Sequence, residues 1–288
     1  MTDWRLRESV QTQAGEVRYD IMGEGPALVL VHGTPTWSYL WRRVAEVLAR
    51  DFRVYLYDLP GYGTSAKFEG QDVSIGMQGR VLAELLAHWG LESPMIAAHD
   101  IGGAAVLRAH LLHGARVSRV ALLDALVTRP RSGGRWGTPW SLHLRRHGTE
   151  AFAALPDYLY RGLMQAYVRS AMARSVSDQE LEPLLAPFTG STGQPAFFRQ
   201  IAQLDESYTD EIEPLLNRVT VPVQLVWGSE DTWLDIDFAE RLAAALPHAN
   251  LTFVDGAGHF IQADAPGAVT RILRAFFRDE THHMSTGS

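Results

Sequence analysis

Two alternating stretches begin the chain. Residues 4–12 and 16–22 carry apolar side chains at every second position, and Ala14-Gly15 between them supplies a turn, so the pattern predicts a β-hairpin. The pattern then changes. The run ALVLV at 27–31 is apolar throughout, as expected of a strand covered on both faces. Similar runs fall at 52–57, 94–98, 117–123, 221–227 and 251–254. Between them, helical spacing appears at 38–50 (with Ser38 as a candidate N-cap), 74–89, 102–113, 236–246 and 266–278. Strands alternating with helices predict an α/β fold, with a mostly parallel eight-stranded sheet, right-handed crossovers and flanking helices.

The alternation lapses at 127–210, where no buried-strand run occurs. This stretch opens with the Gly-, Pro- and Arg-rich RPRSGGRWGTPW and continues with helical runs near 150–174, 178–185 and 194–205. It reads as a helical cap inserted after the sixth strand. The expected organisation is a core in two parts, residues 1–126 and 211–280, interrupted by the cap at 127–210 and followed by a polar, disordered tail at 281–288. His282-His283 in that tail fits a floppy polar end better than a metal pair.

Composition narrows the function. The chain has 288 residues, enough for one domain to bury about three quarters of its unfolded surface. Its net charge of −7 is spread without a basic stripe, which argues against nucleic acid as a partner. There is no cysteine, so disulfides, thiolate metal sites and a Cys nucleophile are excluded. Neither a signal-type apolar segment in MTDWRLRESVQT nor a run of membrane-spanning length is present, so a cytoplasmic protein with no membrane partner is expected.

The chemistry centres on AAHDIGG at 97–103. An apolar run leads into it, a helical run leaves it, and Asp100 sits between small residues two before and two after. Small-x-nucleophile-x-small is the pattern of a nucleophile elbow, a turn so sharp that bulk beside it is excluded. A blander role for Asp100 is to cap the following helix. Two later loops weigh against that role. WGSEDTW puts Asp231 just after a strand, and DGAGHF puts His259 just after the last one. The three residues thus follow strand ends in the order nucleophile, acid, base, where open α/β sheets bind ligands. His259 can take a proton from water and Asp231 can fix its tautomer. Asp124, ending the sixth strand, is the alternative acid. His99 adjoins Asp100 but faces the other way along the strand, as a buried hydrogen-bonded histidine would. Asp58 lies in a Gly-rich stretch whose spacing fits no phosphate loop, so a structural turn is expected there.

The motifs HGTPTWSYLWR (32–42), DLPGYGTS (58–65) and AHDIGG (98–103) give the chain a resemblance to α/β hydrolases of the haloalkane dehalogenase and epoxide hydrolase group. The resemblance spans the chain except the insertion, which matches only as a helical cap. It implies an α/β-hydrolase fold and a hydrolase that works through an alkyl ester on Asp100, needs no metal or organic cofactor, and uses water as co-substrate. It further implies that the backbone N–H groups of Thr34 and Ile101 hold the oxyanion formed when water attacks that ester. A carboxylate suits this chemistry, because its attack on an ordinary ester only makes an anhydride, whereas a strained epoxide or a carbon–halogen bond gives a stable ester.

Departures from the group's pattern bear on the leaving group. Dehalogenases place Asn or Trp N–H donors where this chain has Thr34 and Ile101, and a halide without donors in an apolar pocket is costly. Epoxide hydrolases use cap tyrosines, and Phe198 falls near one of their positions. The pocket is expected to draw on Trp37, Trp136, Trp140, Tyr158, Tyr160, Tyr167 and Phe198, with Tyr160 and Tyr167 on one helix face. Epoxide opening on a small apolar substrate is the first expectation and carbon–halogen hydrolysis the second. A third is a ligand-binding or natural-product-tailoring member of the fold that does not hydrolyse. The sequence leaves monomer and homodimer open.

Overall fold

The computed structural model describes residues 4–129 and 139–278. One eight-stranded sheet organises them. Its strands are β1 (Glu8–Thr12), β2 (Gly15–Met22), β3 (Ala27–Val31), β4 (Arg53–Tyr57), β5 (Met95–His99), β6 (Arg119–Leu123), β7 (Val223–Gly228) and β8 (Ala249–Val254). Their spatial order is β1-β2-β4-β3-β5-β6-β7-β8. The hairpin β1–β2 joins antiparallel to β4, and every pairing beyond it is parallel.

The continuous apolar runs divide by parity between two layers. Val29, Val31, Ile96, Ala98, Val120 and Leu122 pack into one core. Leu28, Leu30, Met95, Ala97, Ala121 and Leu123 pack into the other. A strand in the middle of a parallel sheet needs apolar residues at both parities, because helices cover both faces. Helices α1 (Arg42–Leu48), α2 (Ile75–His88) and α3 (Ile101–Leu112) follow β3, β4 and β5. Ser74 caps α2 by accepting from the Met77 N–H at 3.2 Å.

Between β6 and β7 the described residues form α4 (Pro139–His147), α5 (Glu150–Ala153), α6 (Asp157–Arg169), α7 (Asp178–Leu185), α8 (Gly190–Ala202) and α9 (Ser207–Asp210). After β7 come α10 (Ile236–Ala245), then, beyond β8, α11 (Ile261–Asp264) and α12 (Pro266–Arg278). No helix among the described residues is long and apolar enough to cross a membrane. The helices after β6 are tied to loops that leave the carboxyl ends of the strands. Trp37 Nε1 donates to Pro183 O at 3.0 Å, Gln200 Nε2 to Gly61 O at 2.6 Å, and the Phe260 N–H to Ala171 O at 3.1 Å.

Two expected helices are broken. The run at 150–174 divides at Leu155-Pro156, since proline lacks the N–H a helix interior needs and disfavours helix in the residue before it. The run at 38–50 begins as a 3₁₀ turn, Ser38–Trp41. Ser38 is no side-chain cap there. Its hydroxyl accepts from Trp4 Nε1 at 3.1 Å and its N–H donates to Asp58 Oδ1 at 2.9 Å. Trp136 and the tail at 281–288, with His282 and His283, lie outside the described residues.

The small residues of AAHDIGG answer a close approach of backbones. A Cβ on Gly102 would lie 2.5 Å from the carbonyl oxygen of His32. By contrast, Gly162, inside α6, has nothing within 4 Å of its Cβ position. The same substitution should therefore act in opposite directions. Gly102→Ala is expected to lower the unfolding free energy by about 1–3 kcal/mol through overpacking. Gly162→Ala should raise it by about 0.5–1 kcal/mol through helix propensity. Urea midpoints of both variants check this, and equal effects would contradict it.

Candidate active site

Asp100 lies between β5 and α3 with φ 52 and ψ −126, a left-handed conformation that costs a non-glycine residue energy. The surrounding backbone fixes it. Its N–H donates to Leu123 O at 3.2 Å, and its carbonyl accepts from the N–H groups of Gly103 and Leu126, both at 3.0 Å. Its side chain makes no capping bond to α3, which removes the helix-cap alternative. Instead Oδ1 accepts the Thr34 N–H at 2.7 Å, and the Ile101 N–H also favours the ionised carboxyl. Thr34 belongs to the loop after β3, where the Thr34–Pro35 peptide is cis. A Cβ on Gly33 would fall 2.4 Å from that of Asp100, so only glycine lets this loop come so near.

His259 comes from the loop after β8 and is wholly buried. Its Nε2 lies 3.6 Å from Asp100 Oδ2. Its Nδ1 lies 2.8 Å from Asp231 Oδ2. Asp231 is held in turn, since its Oδ1 accepts the N–H groups of Trp233 at 2.7 Å and Leu234 at 3.0 Å. Three loops separated in sequence thus bring a carboxylate, an imidazole and a second carboxylate into one line.

The charges balance within the group. Burial disfavours an imidazolium at His259, but Asp231 and Asp100 outweigh it and hold the ring well above its ordinary value of 6.5. Burial also opposes the charge on Asp100, yet the neighbouring His259, its Nε2 3.6 Å away, holds the carboxyl below the ordinary value. Asp124 differs. It is fully buried and pushed well above the ordinary carboxylate value, first by burial and then by the charge of Asp231. Its Oδ1 accepts the Gly228 N–H at 2.8 Å while Oδ2 has no partner. It stands behind Asp231, away from His259. The hydrogen bond to His259 goes to Asp231.

His99 is buried and hydrogen-bonded, as its strand position predicts. Its Nε2–H donates to the His259 carbonyl at 2.9 Å. Burial and the neighbouring His259 push its ring down to about 4, so it stays neutral. Asp58 organises a turn. It accepts from the N–H and hydroxyl of Thr64 at 2.6 and 2.7 Å.

A cavity of about 30 Å³ lies at this line, enough for a water or two. Asp100, His259 and Thr34 border it on one side and Tyr167, Leu204 and Trp233 on the other. Ile101 also lines it. Of the aromatic residues expected in the pocket, Tyr167 is there and others are not. Tyr158 is 74% exposed, because it lies off the buried face of α6 that Tyr160 and Tyr167 share. Tyr160 and Phe198 pack against each other with centroids 5.6 Å apart, in an aromatic cluster behind the cavity wall. Trp140 stacks on Phe197 and meets Tyr167 edge-on at 4.7 Å, supporting it from behind. Trp37 stacks on Tyr39 and bonds Pro183 O, so it fastens a helix and does not line the cavity. Trp136 cannot be located among the described residues. Leu204 is a wall residue that sequence reasoning did not single out. Trp233 had a signal, two positions after Asp231; Leu204 had none, because its position depends on how a helix is laid over the sheet. Among the described residues no group of three His, Asp or Glu side chains gathers as metal ligands would.

Two outcomes follow from this geometry. Asp231→Asn should reduce turnover by several orders of magnitude, since the amide favours the wrong tautomer of His259. Asp124→Asn should cost far less, and steady-state kinetics showing the reverse ranking would transfer the acid to Asp124. A proton held more tightly in the folded state also makes stability depend on pH. The stabilisation from His259 is complete below the ordinary value of 6.5 and is lost as pH rises through its raised folded value. Urea unfolding across pH 6–10 should therefore show a declining slope above about 6.5 that His259→Gln lacks.

Known proteins similar to this chain agree with the fold. An alpha/beta hydrolase fold family model matches residues 26–266. Haloalkane dehalogenase 2 of Mycobacterium tuberculosis H37Rv is 26% identical over 269 residues, 90% of each chain. The cis-3-alkyl-4-alkyloxetan-2-one decarboxylase of Xanthomonas campestris pv. campestris is 27% identical over 273 residues, 88% of each. The crystal structure of an alpha/beta hydrolase fold protein from Burkholderia ambifaria is 38% identical, with a TM-score of 0.88, covering 94% of this chain and 97% of that one. The chain belongs to the α/β hydrolase fold family, and haloalkane dehalogenases are among its relatives.

Proposed function

We propose that this chain hydrolyses small apolar epoxides through an alkyl ester on Asp100, with His259 as base, Asp231 as acid, and residues 127–210 as a cap over a core of 1–126 and 211–280. The observation that carries this is the arrangement around Asp100. One carboxylate oxygen is taken up by the Thr34 N–H at 2.7 Å, while the other faces the cavity beside His259 at 3.6 Å. Asp100 Oδ2 attacks an epoxide carbon, a C–O bond forms, and the ring C–O bond breaks with its electron pair going to the leaving oxygen. Alkylation removes the charge of Asp100, which had helped to hold the proton on His259. That proton is released and the leaving oxygen takes one up. The neutral imidazole then accepts a proton from water as the water adds to the carboxyl carbon of Asp100. The Thr34 and Ile101 N–H groups hold the resulting oxyanion. Its collapse frees a diol and restores both ions.

An oxygen leaving group is favoured over a halide because the indoles of Trp37 and Trp233 already have partners, and Trp140 stands behind Tyr167. Trp37 Nε1 is bonded to Pro183 O, and Trp233 Nε1 to Ser170 Oγ at 3.1 Å. Ile101 offers no side-chain donor. Tyr167 is the expected cap tyrosine that borders the cavity. The relatives named as dehalogenases speak for carbon–halogen hydrolysis as the second reading, so the assay panel holds both substrate classes. A cavity of about 30 Å³ is too small for either, so the covering helices must shift for substrate to bind.

Asp100→Asn should abolish turnover with the fold intact. His259→Gln should slow ester hydrolysis by about 10²–10⁴-fold and accumulate an adduct on Asp100, visible as a mass increase. Single turnover in oxygen-18 water should label Asp100. Diol release without chloride or bromide release fits epoxide opening, halide release fits the second reading, and ligand binding without label or product fits a non-hydrolytic protein.

A further inference from the structure

β8 is the last strand of the sheet and pairs only with β7. A parallel ladder uses the N–H and C=O groups of alternate residues along each strand. Here β7 takes the even positions of β8. The Val223 N–H donates to His248 O at 2.9 Å, and the Ser229 N–H donates to Val254 O at 3.1 Å. The N–H and C=O groups of Ala249, Leu251 and Phe253 therefore point out of the sheet. Among the described residues none of them finds another backbone partner.

An open edge of this kind invites another strand, and folded proteins commonly guard such edges with charges, prolines or bulges. The opposite edge of this sheet is guarded. β1 carries the exposed Glu8 and follows the exposed Arg5 and Arg7. β8 has no guard of that sort, since its sequence ANLTFV holds neither a charge nor a proline. Its odd-numbered side chains lie on the face that α10 packs against, where Ala249 and Leu251 are half-buried. Phe253, on the same face, is 38% exposed.

We propose that β8 pairs antiparallel with β8 of a second copy of this chain, about a two-fold axis at Leu251, so that two eight-stranded sheets become one. The register follows from the groups that point outward. Leu251 meets the partner's Leu251, Phe253 meets the partner's Ala249, and each pair exchanges both its N–H···O bonds. The side chains suit the same register. The largest residue of the strand, Phe253, lies opposite the smallest, the partner's Ala249. On the other face Asn250 lies opposite the partner's Thr252, so polar meets polar. At the ends of the ladder His248 comes beside the partner's Asp255, which sets a cationic imidazole against a carboxylate and opposes no like charges. The strand is thus complementary to its own reverse, which only a second copy supplies without a further requirement. The pairing also adds bonds along the free side of the strand that runs into the loop of His259.

Sedimentation velocity of the full chain over a dilution series should show a species of twice the chain's mass that dissociates on dilution. Phe253→Lys should raise the dissociation constant by about tenfold or more, as expected for loss of an aromatic contact at the centre of a small interface. The register is read by cross-linking. The chain has no cysteine, so a single introduced one can form a disulfide only between copies. Leu251→Cys should oxidise to a covalent dimer, because facing Cα atoms of a hydrogen-bonded antiparallel pair lie about 5.5 Å apart, within reach of a disulfide. Phe253→Cys should not, because its two copies sit four residues apart along the ladder, about 14 Å. A monomer at every concentration would overturn the proposal and leave the edge for an unlike chain. A dimer that Phe253→Lys leaves intact, or cross-linking at 253 as fast as at 251, would overturn it in favour of another face or register. Should Phe253→Lys fail to fold, the two cysteine variants still decide.

Discussion

Two carboxylates and one imidazole share a space that water hardly reaches: the carboxylates hold the His259 ring above its ordinary value, and His259 holds Asp100 below its own. Asp100 is 5% exposed, Asp231 8% and His259 not at all. An isolated ion at such a site would neutralise itself. The chain avoids that by threading the imidazole between the carboxylates and giving each carboxylate backbone N–H donors as well. Asp231 takes two, from Trp233 and Leu234. Asp100 takes that of Thr34 at 2.7 Å. Asp124 is the exception that tests the account. It receives one backbone N–H, has no cation of its own, and its carboxyl is pushed well above the ordinary value.

Such a balance needs loops placed to fractions of an ångström, and the sheet supplies them. β3, β5, β7 and β8 end on the same side, so the loops bearing Thr34, Asp100, Asp231 and His259 converge without any long excursion. The left-handed φ of 52 at Asp100 is the cost of aiming a side chain out of a strand end and starting a helix one residue later. Hydrogen bonds from Gly103 and Leu126 to its carbonyl hold that conformation, and Gly33 and Gly102 leave room for it.

Much of this was legible in the chain itself. Strands covered on both faces announce themselves as unbroken apolar runs, and β3 to β7 were all found that way. Asp100, Asp231 and His259 were readable because each sits at fixed spacing after such a run. Helix interiors were readable, but their breaks were set by single contacts. Ser38 left its capping role because Asp58 and Trp4 claimed it. The cavity wall was the least legible part. Tyr160 and Tyr167 share a face, yet Tyr167 alone meets the cavity, because Phe197 and Phe198 fill the space in front of Tyr160. Helical periodicity says which side chains turn inward. It does not say which neighbour arrives first.

The helices over the sheet are joined to the site unevenly. Around 170–173 the chain is bonded to the very loops that hold Asp231 and His259. Ser170 accepts from Trp233 Nε1 and Thr232 Oγ1, both at 3.1 Å, and Ala171 O accepts the Phe260 N–H. Asp264 Oδ2 accepts the N–H groups of Ala173 and Gly258 together, both at 2.9 Å. A Cβ on Gly258 would meet Ala171 O at 2.8 Å. Lifting this end would pull on residues adjacent to His259 and Asp231, whose positions set every charge in the site. The covering helices therefore do two physically different jobs. One end completes the support of the imidazole, while Tyr167 and Leu204 close the cavity beside Asp100.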